Sequence, residues 1–374
     1  MQTSKKLRAN VFKSEISLAD GRSLFFYDLG EITRSAMDKR QVEPPAPTGE
    51  LRHDALRDDW VAIAAHRQTR TFMPPKELCP LCPTAVDADE KYLTEIPADS
   101  YEVVVFDNRF PSLTRPSADF VLETPFDLQV GPIEAAGKCE VVCFSSNHNG
   151  SFKDLSEQQV RTVLEAWKDR TNELGELPEV QHVFVFENRG TEIGVTLPHP
   201  HGQIYGYSYI PMHMKNMIAA ANDFYARTSK VLLDEIVARE IRDEVRVVVQ
   251  NSEWVAFAPY ASRYPYEIHI APKRSVKRLP DLDEDASSTF AEIYLEVLKR
   301  LDGVFDVQMP YIAAWYQAPF TPDAEHVRLH LQITSIRRAP DKIKYLAGSE
   351  AAMGAFIGDV TPESSAAQLR DVKL

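Results

Sequence analysis

The chain has 374 residues, 44% of them hydrophobic, which is enough for two ordinary domains or one large duplicated one with a sizeable core. Its formal net charge is -13 and its pI about 5.3, and the only dense basic run is the short "SKKLR" at residues 4–8, so a nucleic-acid partner is not expected. No stretch approaches the ~18 apolar residues of a membrane span and the N-terminus lacks an apolar leader core, so no membrane association and a cytoplasmic location are expected.

Residues 1–50 mix short alternating segments with the proline-rich "QVEPPAPTGE" and read as an N-terminal arm. Residues 58–67, "DDWVAIAAHR", predict a strand, followed by "ELCPLCP" with Cys79 and Cys82. That spacing suits two thiolates on one metal ion in a reducing compartment, and four cysteines in so long a chain do not suggest a disulfide framework. Strands are predicted at 101–107 and 138–146. An amphipathic helix over 156–175 has Ser156 as N-cap and Gly175 as C-cap. "VQHVFVFENRG" is a further strand, and "GVTLPHPHGQIYGY" at 194–207 follows it.

The order then returns. Residues 253–273 predict strands, 281–303 a helix, 311–320 a strand and 325–336 a closing strand. "SFKDLSEQQ" lies over "VKRLPDLDED", and "LPHPHGQIYGY" over "HVRLHLQITSI", which sets His201 over His330 and His199 over Arg328. These matches point to an internal duplication of two α+β halves, 51–215 and 216–374, each an antiparallel sheet flanked by helices. Only the first half retains a histidine pair.

Residues two apart on a regular strand face the same side, so His199 and His201 can share one site, and the proline between them places the strand at a sheet edge or at its own end. One strand histidine is ordinarily a packed structural residue. Two of them around a proline, with Gly-Gln after, point instead to chemistry: neutral imidazole is a good nucleophile toward phosphorus, and the Gln203 amide can donate to a phosphate oxygen. A metal on Cys79 and Cys82 needs two more ligands, for which His148 in "SSNHNGS" and His199 are the candidates.

Taken together, "CPLC", "FDNRFPSL", "CFSSNHNGSFKDLS", "FENRGTEIGVTLPHPHGQI" and "KYLAGSEAAMGAF" closely resemble the galactose-1-phosphate uridylyltransferase family, a branch of the histidine-triad superfamily, over about residues 50–370. The HPHGQ stretch is highly specific, whereas CxxC by itself is not. The resemblance implies duplicated histidine-triad-like halves, with His201 as the nucleophile that takes up the uridylyl group and Gln203 holding the transferred phosphate. It implies one structural Zn2+ per chain on Cys79, Cys82, His148 and His199. It further implies Arg67 and Arg70 near the substrate phosphates, and Asn108, Phe110, Phe186 and Asn188 in a uridine pocket. Gly194 and Thr196 join the substrate-binding set, and Lys344 and Glu350 would contact the sugar. The implied partners are UDP-glucose, UDP-galactose and hexose 1-phosphates, and the implied assembly is a homodimer.

The chain also departs from that pattern. The family's second metal site, one Glu and three His, falls here on Met217, Tyr316, His330 and Gln332, and a single imidazole does not hold a divalent ion against water, so no second metal is expected. Arg109 stands where an acid is usual and Ser349 where a tyrosine is usual, which leaves the sugar open. The expected reaction is ping-pong exchange of UMP through a uridylyl-histidine. The alternatives are a phosphorylase or adenylyltransferase acting on nucleotide sugars or dinucleotides, and a zinc-braced nucleotide sensor without turnover.

Overall fold

The computed structural model describes residues 4–34, 36–44, 49–69, 73–84, 88–116 and 133–374. Its strands are β1 (Ser4–Lys6), β2 (Val11–Ser17), β3 (Ser23–Leu29), β4 (Glu50–Asp54), β5 (Asp59–Ile63), β6 (Val103–Asp107), β7 (Ile133–Glu134), β8 (Gly137–Cys143), β9 (His182–Arg189) and β10 (His201–Tyr207). They continue with β11 (Val247–Gln250), β12 (Trp254–Phe257), β13 (Tyr266–Pro272), β14 (Tyr311–Tyr316), β15 (His330–Ser335), β16 (Arg337–Ala339) and β17 (Lys342–Ile343). The α-helices are α1 (Glu157–Gly175), α2 (Met212–Thr228), α3 (Leu232–Asp243), α4 (Glu284–Gly303) and α5 (Pro362–Asp371).

Among the described residues twelve strands form one antiparallel sheet in the order β1-β2-β3-β6-β8-β10-β9-β14-β15-β13-β12-β11. β9 and β14 meet at its centre, with Phe186 opposite Ala314, and from there β10, β8 and β6 on one side mirror β15, β13 and β12 on the other. The predicted order of strands and helices is present in both halves, and the first three strands extend the sheet beyond β6. Residues 58–67, expected as a strand, stop extending at Ile63 and turn into a 3-10 helix over Ala65–Thr69.

The period of two assigns each strand residue to a face. On β10, Gly202, Ile204 and Gly206 are buried on the side of α1, leaving His201, Gln203, Tyr205 and Tyr207 on the other side. Gly202 is obligatory there, because a Cβ would stand 2.7 Å from both the Phe144 ring and the Phe186 carbonyl. One apolar core runs under both halves: Val160, Val163 and Trp167 of α1 and Phe290, Tyr294 and Leu298 of α4 pack on Val185, Ile204, Ile268 and Leu331. Each such side chain contributes about 1.5–3 kcal/mol on burial.

α1 starts as expected, with Ser156 Oγ accepting from the Gln159 N–H and Gln159 returning the bond, a capping box that stabilises by about 1 kcal/mol. Its expected glycine cap differs. Gly175 is the last helical residue and the cap is Glu176 in a right-handed conformation. The glycine serves close packing instead, since a Cβ there would lie 2.2 Å from the Phe320 ring. Inside the core, Arg170 of α1 donates to both carboxylate oxygens of Glu140 on β8, at 2.9 and 2.6 Å, and locks helix to sheet directly behind the site strands.

Candidate active site

The Cys79–Cys82 turn closes with the Cys82 N–H donating to the Cys79 carbonyl at 3.4 Å, and Cys79 and Leu81 anchor it in an apolar cluster with Phe26, Val104 and Cys143. His148 comes from the loop after β8 and His199 from the approach to β10. The ligand atoms of Cys79, Cys82, His148 and His199 all lie within 4.8 Å of one another, the one such cluster among the described residues. Cys82 Sγ is 3.3 Å from His148 Nδ1 and 3.6 Å from His199 Nδ1.

The donor set fits a metal by its tautomer as well as its position. His199 Nε2 donates to the Ser145 carbonyl at 2.8 Å, so Nδ1 carries the lone pair that faces the sulfurs. The buried Tyr101 hydroxyl sits 2.9 Å from the same Nε2 and donates to the Leu81 carbonyl at 2.8 Å, tying ligand to turn. Burial pushes the Cys79 thiol up, and burial together with the neighbouring thiol pushes Cys82 up to about 12. Burial holds His148 below its usual range and His199 down at about 4, so both imidazoles are neutral, the form a metal binds. A bound cation offsets the cost of ionising the thiols.

The two motif histidines both line one cavity but turn to different partners. Pro200 lies just before β10, and the strand sits between β8 and β9, so the proline marks the end of a central strand and not an edge. His199, outside the strand, turns to the thiols. His201, its first residue, bonds through Nδ1 to the His199 carbonyl at 2.7 Å. Nε2 is then the lone-pair nitrogen. Burial lowers the imidazole's pKa and keeps it neutral. His201 borders a cavity of about 290 Å³ that Asn188, Gly190, Leu197 and Gln308 also line.

The other expected residues divide into three groups. Gln203 and Phe186 lie beside His201 on paired strands, with Gln203 opposite Phe186 in register. Arg67 Nη1 donates to the Tyr205 hydroxyl at 3.3 Å, and that hydroxyl donates to Gln203 Oε1 at 3.2 Å. Asn108 follows β6 beside this strand pair: its N–H donates to the carbonyl of Cys139, the partner of Tyr205, and its side chain accepts from the Phe110 N–H at 2.9 Å. Gly194, at φ 82°, closes the turn after β9, and the Thr196 carbonyl accepts from Met73 N–H, both flanking cavity residues Val195 and Leu197. Arg70 lies outside the described residues. Lys344 and Glu350 pair with each other at 3.3 Å and do not line the His201 cavity; Ser349 Oγ donates to the Ala355 carbonyl nearby, and Arg109 faces Glu95 at 3.7 Å.

At the corresponding place in the second half, His330 Nδ1 bonds to the Arg328 carbonyl at 3.1 Å, repeating the His201 geometry. Its Nε2 is taken by the Gln332 amide at 2.9 Å, Tyr316 stacks on its ring at 5.5 Å, and Met217 packs in an apolar cluster with Tyr316. Sequence reasoning missed Tyr101, Ser145 and Tyr205. Tyr101 and Ser145 reach His199 through a hydroxyl and a backbone carbonyl from distant segments, and no local pattern marks them. Tyr205 was discoverable from its position, two residues after Gln203 on the same strand.

Known proteins match most of the chain. The family described as "Galactose-1-phosphate uridyl transferase, N-terminal domain" matches residues 33–211, and its C-terminal domain matches residues 218–374. A galactose-1-phosphate uridylyltransferase of Streptomyces lividans is 41% identical over 380 residues, covering 96% of this chain and 98% of its own. One from Thermotoga maritima is 35% identical, covering 87% and 99%. Among solved structures, a uridylyltransferase superposes with a TM-score of 0.75 at 29% identity, covering 86% of this chain and 98% of its own. An ADP-glucose phosphorylase of Arabidopsis thaliana shares the fold, with a TM-score of 0.65 at 22% identity, 87% of this chain and 100% of its own.

Proposed function

Because the chain belongs to the galactose-1-phosphate uridylyltransferase family, we propose that it exchanges UMP between UDP-glucose and galactose 1-phosphate in a ping-pong cycle through a uridylyl group held on His201. It is a nucleotidyltransferase of galactose metabolism. The observation that carries the residue assignment is the His201 Nδ1 bond to the His199 carbonyl, which leaves a neutral imidazole with its lone pair on Nε2 beside a cavity.

In the first half-reaction Nε2 bonds to the α-phosphorus of UDP-glucose while the bond from that phosphorus to the bridging oxygen breaks, and glucose 1-phosphate departs with that oxygen. In the second, a phosphate oxygen of galactose 1-phosphate bonds to phosphorus, the N–P bond breaks and UDP-galactose leaves. The Nδ1–H bond to the His199 carbonyl disperses the positive charge that the ring gains in the intermediate. The Gln203 amide donates to a non-bridging oxygen as charge builds, and Arg67 and Arg70 neutralise the phosphates. Asn108, Phe110, Phe186 and Asn188 hold the uridine, with Gly194 and Thr196 shaping the rim.

Two thiolates and two imidazoles suit zinc, about one per chain, and the ion would brace the 79–82 turn against His148 and His199. Met217, Tyr316, His330 and Gln332 offer one imidazole, already bonded at both nitrogens, so we place no second metal there. Lys344 and Glu350, paired at 3.3 Å, would contact the sugar, and the expected assembly is a homodimer. The free cysteines support a reducing, cytoplasmic setting. We place the boundary between the two halves at residue 215.

The test is intact mass after mixing with UDP-glucose. A uridylyl adduct that forms on the parent chain, is absent in His201→Asn and discharges on galactose 1-phosphate is the expected result. An adenylyl adduct from ADP-glucose in its place would mark the phosphorylase-type reaction, and no adduct from either would mark a sensor.

A further inference from the structure

We propose that Tyr205 is a positioning residue that sets which edge of the Gln203 amide faces the transferred phosphate. The proposal rests on the reading of Gln203 as a phosphate donor. Gln203 and Tyr205 are two residues apart on β10 and share its site face. The Tyr205 hydroxyl lies 3.3 Å from Arg67 Nη1 and 3.2 Å from Gln203 Oε1. A guanidinium can only donate, so the hydroxyl accepts from Arg67 and must send its single hydrogen elsewhere. Gln203 Oε1 accepts it at 3.2 Å, and the Ser112 hydroxyl also bonds to this phenol.

In the chain Arg67→Tyr205→Gln203 the hydroxyl accepts from the guanidinium and donates to the amide oxygen. It engages the amide oxygen and leaves the amide N–H groups to donate. Turning the amide over would set an N–H against the hydroxyl and drive its hydrogen off Gln203 toward Ser112, whose Oγ already meets Cys139 Sγ at 3.6 Å, a rearrangement on the order of one hydrogen bond. The ring that holds the hydroxyl is itself fixed. Tyr205 stands edge-on to Phe186 at 5.2 Å and to Tyr207 at 5.9 Å, and its backbone is paired on both sides, with Cys139 and Phe184. Burial pushes the phenol pKa up, so the hydroxyl keeps its proton at neutral pH. Without it, the amide loses the hydroxyl that engages its oxygen, and only one of its orientations donates to phosphate.

Tyr205→Phe removes the hydroxyl and keeps the ring. The expected result is about a tenfold fall in kcat for exchange, with KM for UDP-glucose within about twofold. A double-mutant cycle supplies the readout that a merely structural role would not move: Tyr205→Phe combined with Gln203→Ala should be no slower than Gln203→Ala alone, because Tyr205 acts through Gln203. Independent, multiplying losses would overturn the proposal, as would unchanged kcat or a change confined to KM. A second measurement does not depend on turnover. In ¹⁵N-labelled protein the Gln203 side-chain amide signals, assigned by their loss in Gln203→Ala, should shift in Tyr205→Phe, and unchanged signals would overturn it. Failure of the parent chain to take up a uridylyl group would instead count against the functional reading, and the amide signals would still decide whether Tyr205 orients Gln203.

Discussion

His201 bonds through Nδ1 to the backbone carbonyl of His199 at 2.7 Å, and His199 turns its own ring toward the thiol of Cys82 at 3.6 Å. One residue thus belongs to the metal cluster by its side chain and to the proposed nucleophile by its main chain. Metal binding and nucleophile orientation are coupled through a single peptide.

That coupling gives the first prediction. The parent chain should hold about one zinc and no second transition metal, and Cys79→Ala with Cys82→Ala should lose the zinc. Uridylyl uptake should slow in the zinc-free protein, because the His199 carbonyl is no longer held. Elemental analysis with adduct kinetics checks both parts; a zinc content that survives the double substitution would displace the metal assignment.

Removing the nucleophile is the second. His201→Asn should retain zinc and fold yet lose exchange, since no other side chain is proposed to bond phosphorus. His201→Gly leaves a hole beside the cavity, and added imidazole should restore part of the turnover. More than a trace of activity in the Asn variant would contradict the role.

Deleting the Gln203 amide separates charge stabilisation from ground-state binding. Gln203→Ala should cost roughly 3 kcal/mol, on the order of a hundredfold in kcat, with KM nearly unchanged and zinc in place. A variant that raises KM alone would reassign Gln203 to substrate binding.

Glu187 predicts a pH effect on stability. It is buried on the helix side of β9, accepting from Tyr311 at 3.1 Å and Tyr294 at 3.4 Å, and burial raises its pKa from 4.5 to about 7. Between those values the folded chain holds a proton that the unfolded chain has released. This group's contribution is therefore fully present below pH ~4.5 and is lost as pH rises through about 7, with a limiting slope on the order of 1.4 kcal/mol per pH unit. Glu187→Gln should flatten that part of the curve of Tm against pH. An unchanged slope would show that Glu187 does not titrate in this window.

What the sequence determined by itself was local. The strands β5, β6, β8–β10 and β12–β15 and the two long helices α1 and α4 are legible because a strand repeats every two residues and a helix every 3.6, and the Ser156 cap because its bond spans three residues. The thiol pair Cys79–Cys82 and the run from His199 to Gln203 are legible for the same reason. What lies between partners far apart in the chain was decided by packing. The sequence pattern left 212–243 unassigned, where α2 and α3 form. It gave Gly175 a capping role, while the ring of Phe320 sets its actual one. The proline in HPH allowed an edge or an end, and only the pairing of β10 with both β8 and β9 chose the end. That choice gives the two imidazoles different partners. With His199 outside the strand and His201 inside it, strand periodicity no longer holds them on one face, so the His199 ring also reaches the thiols while both residues line the cavity.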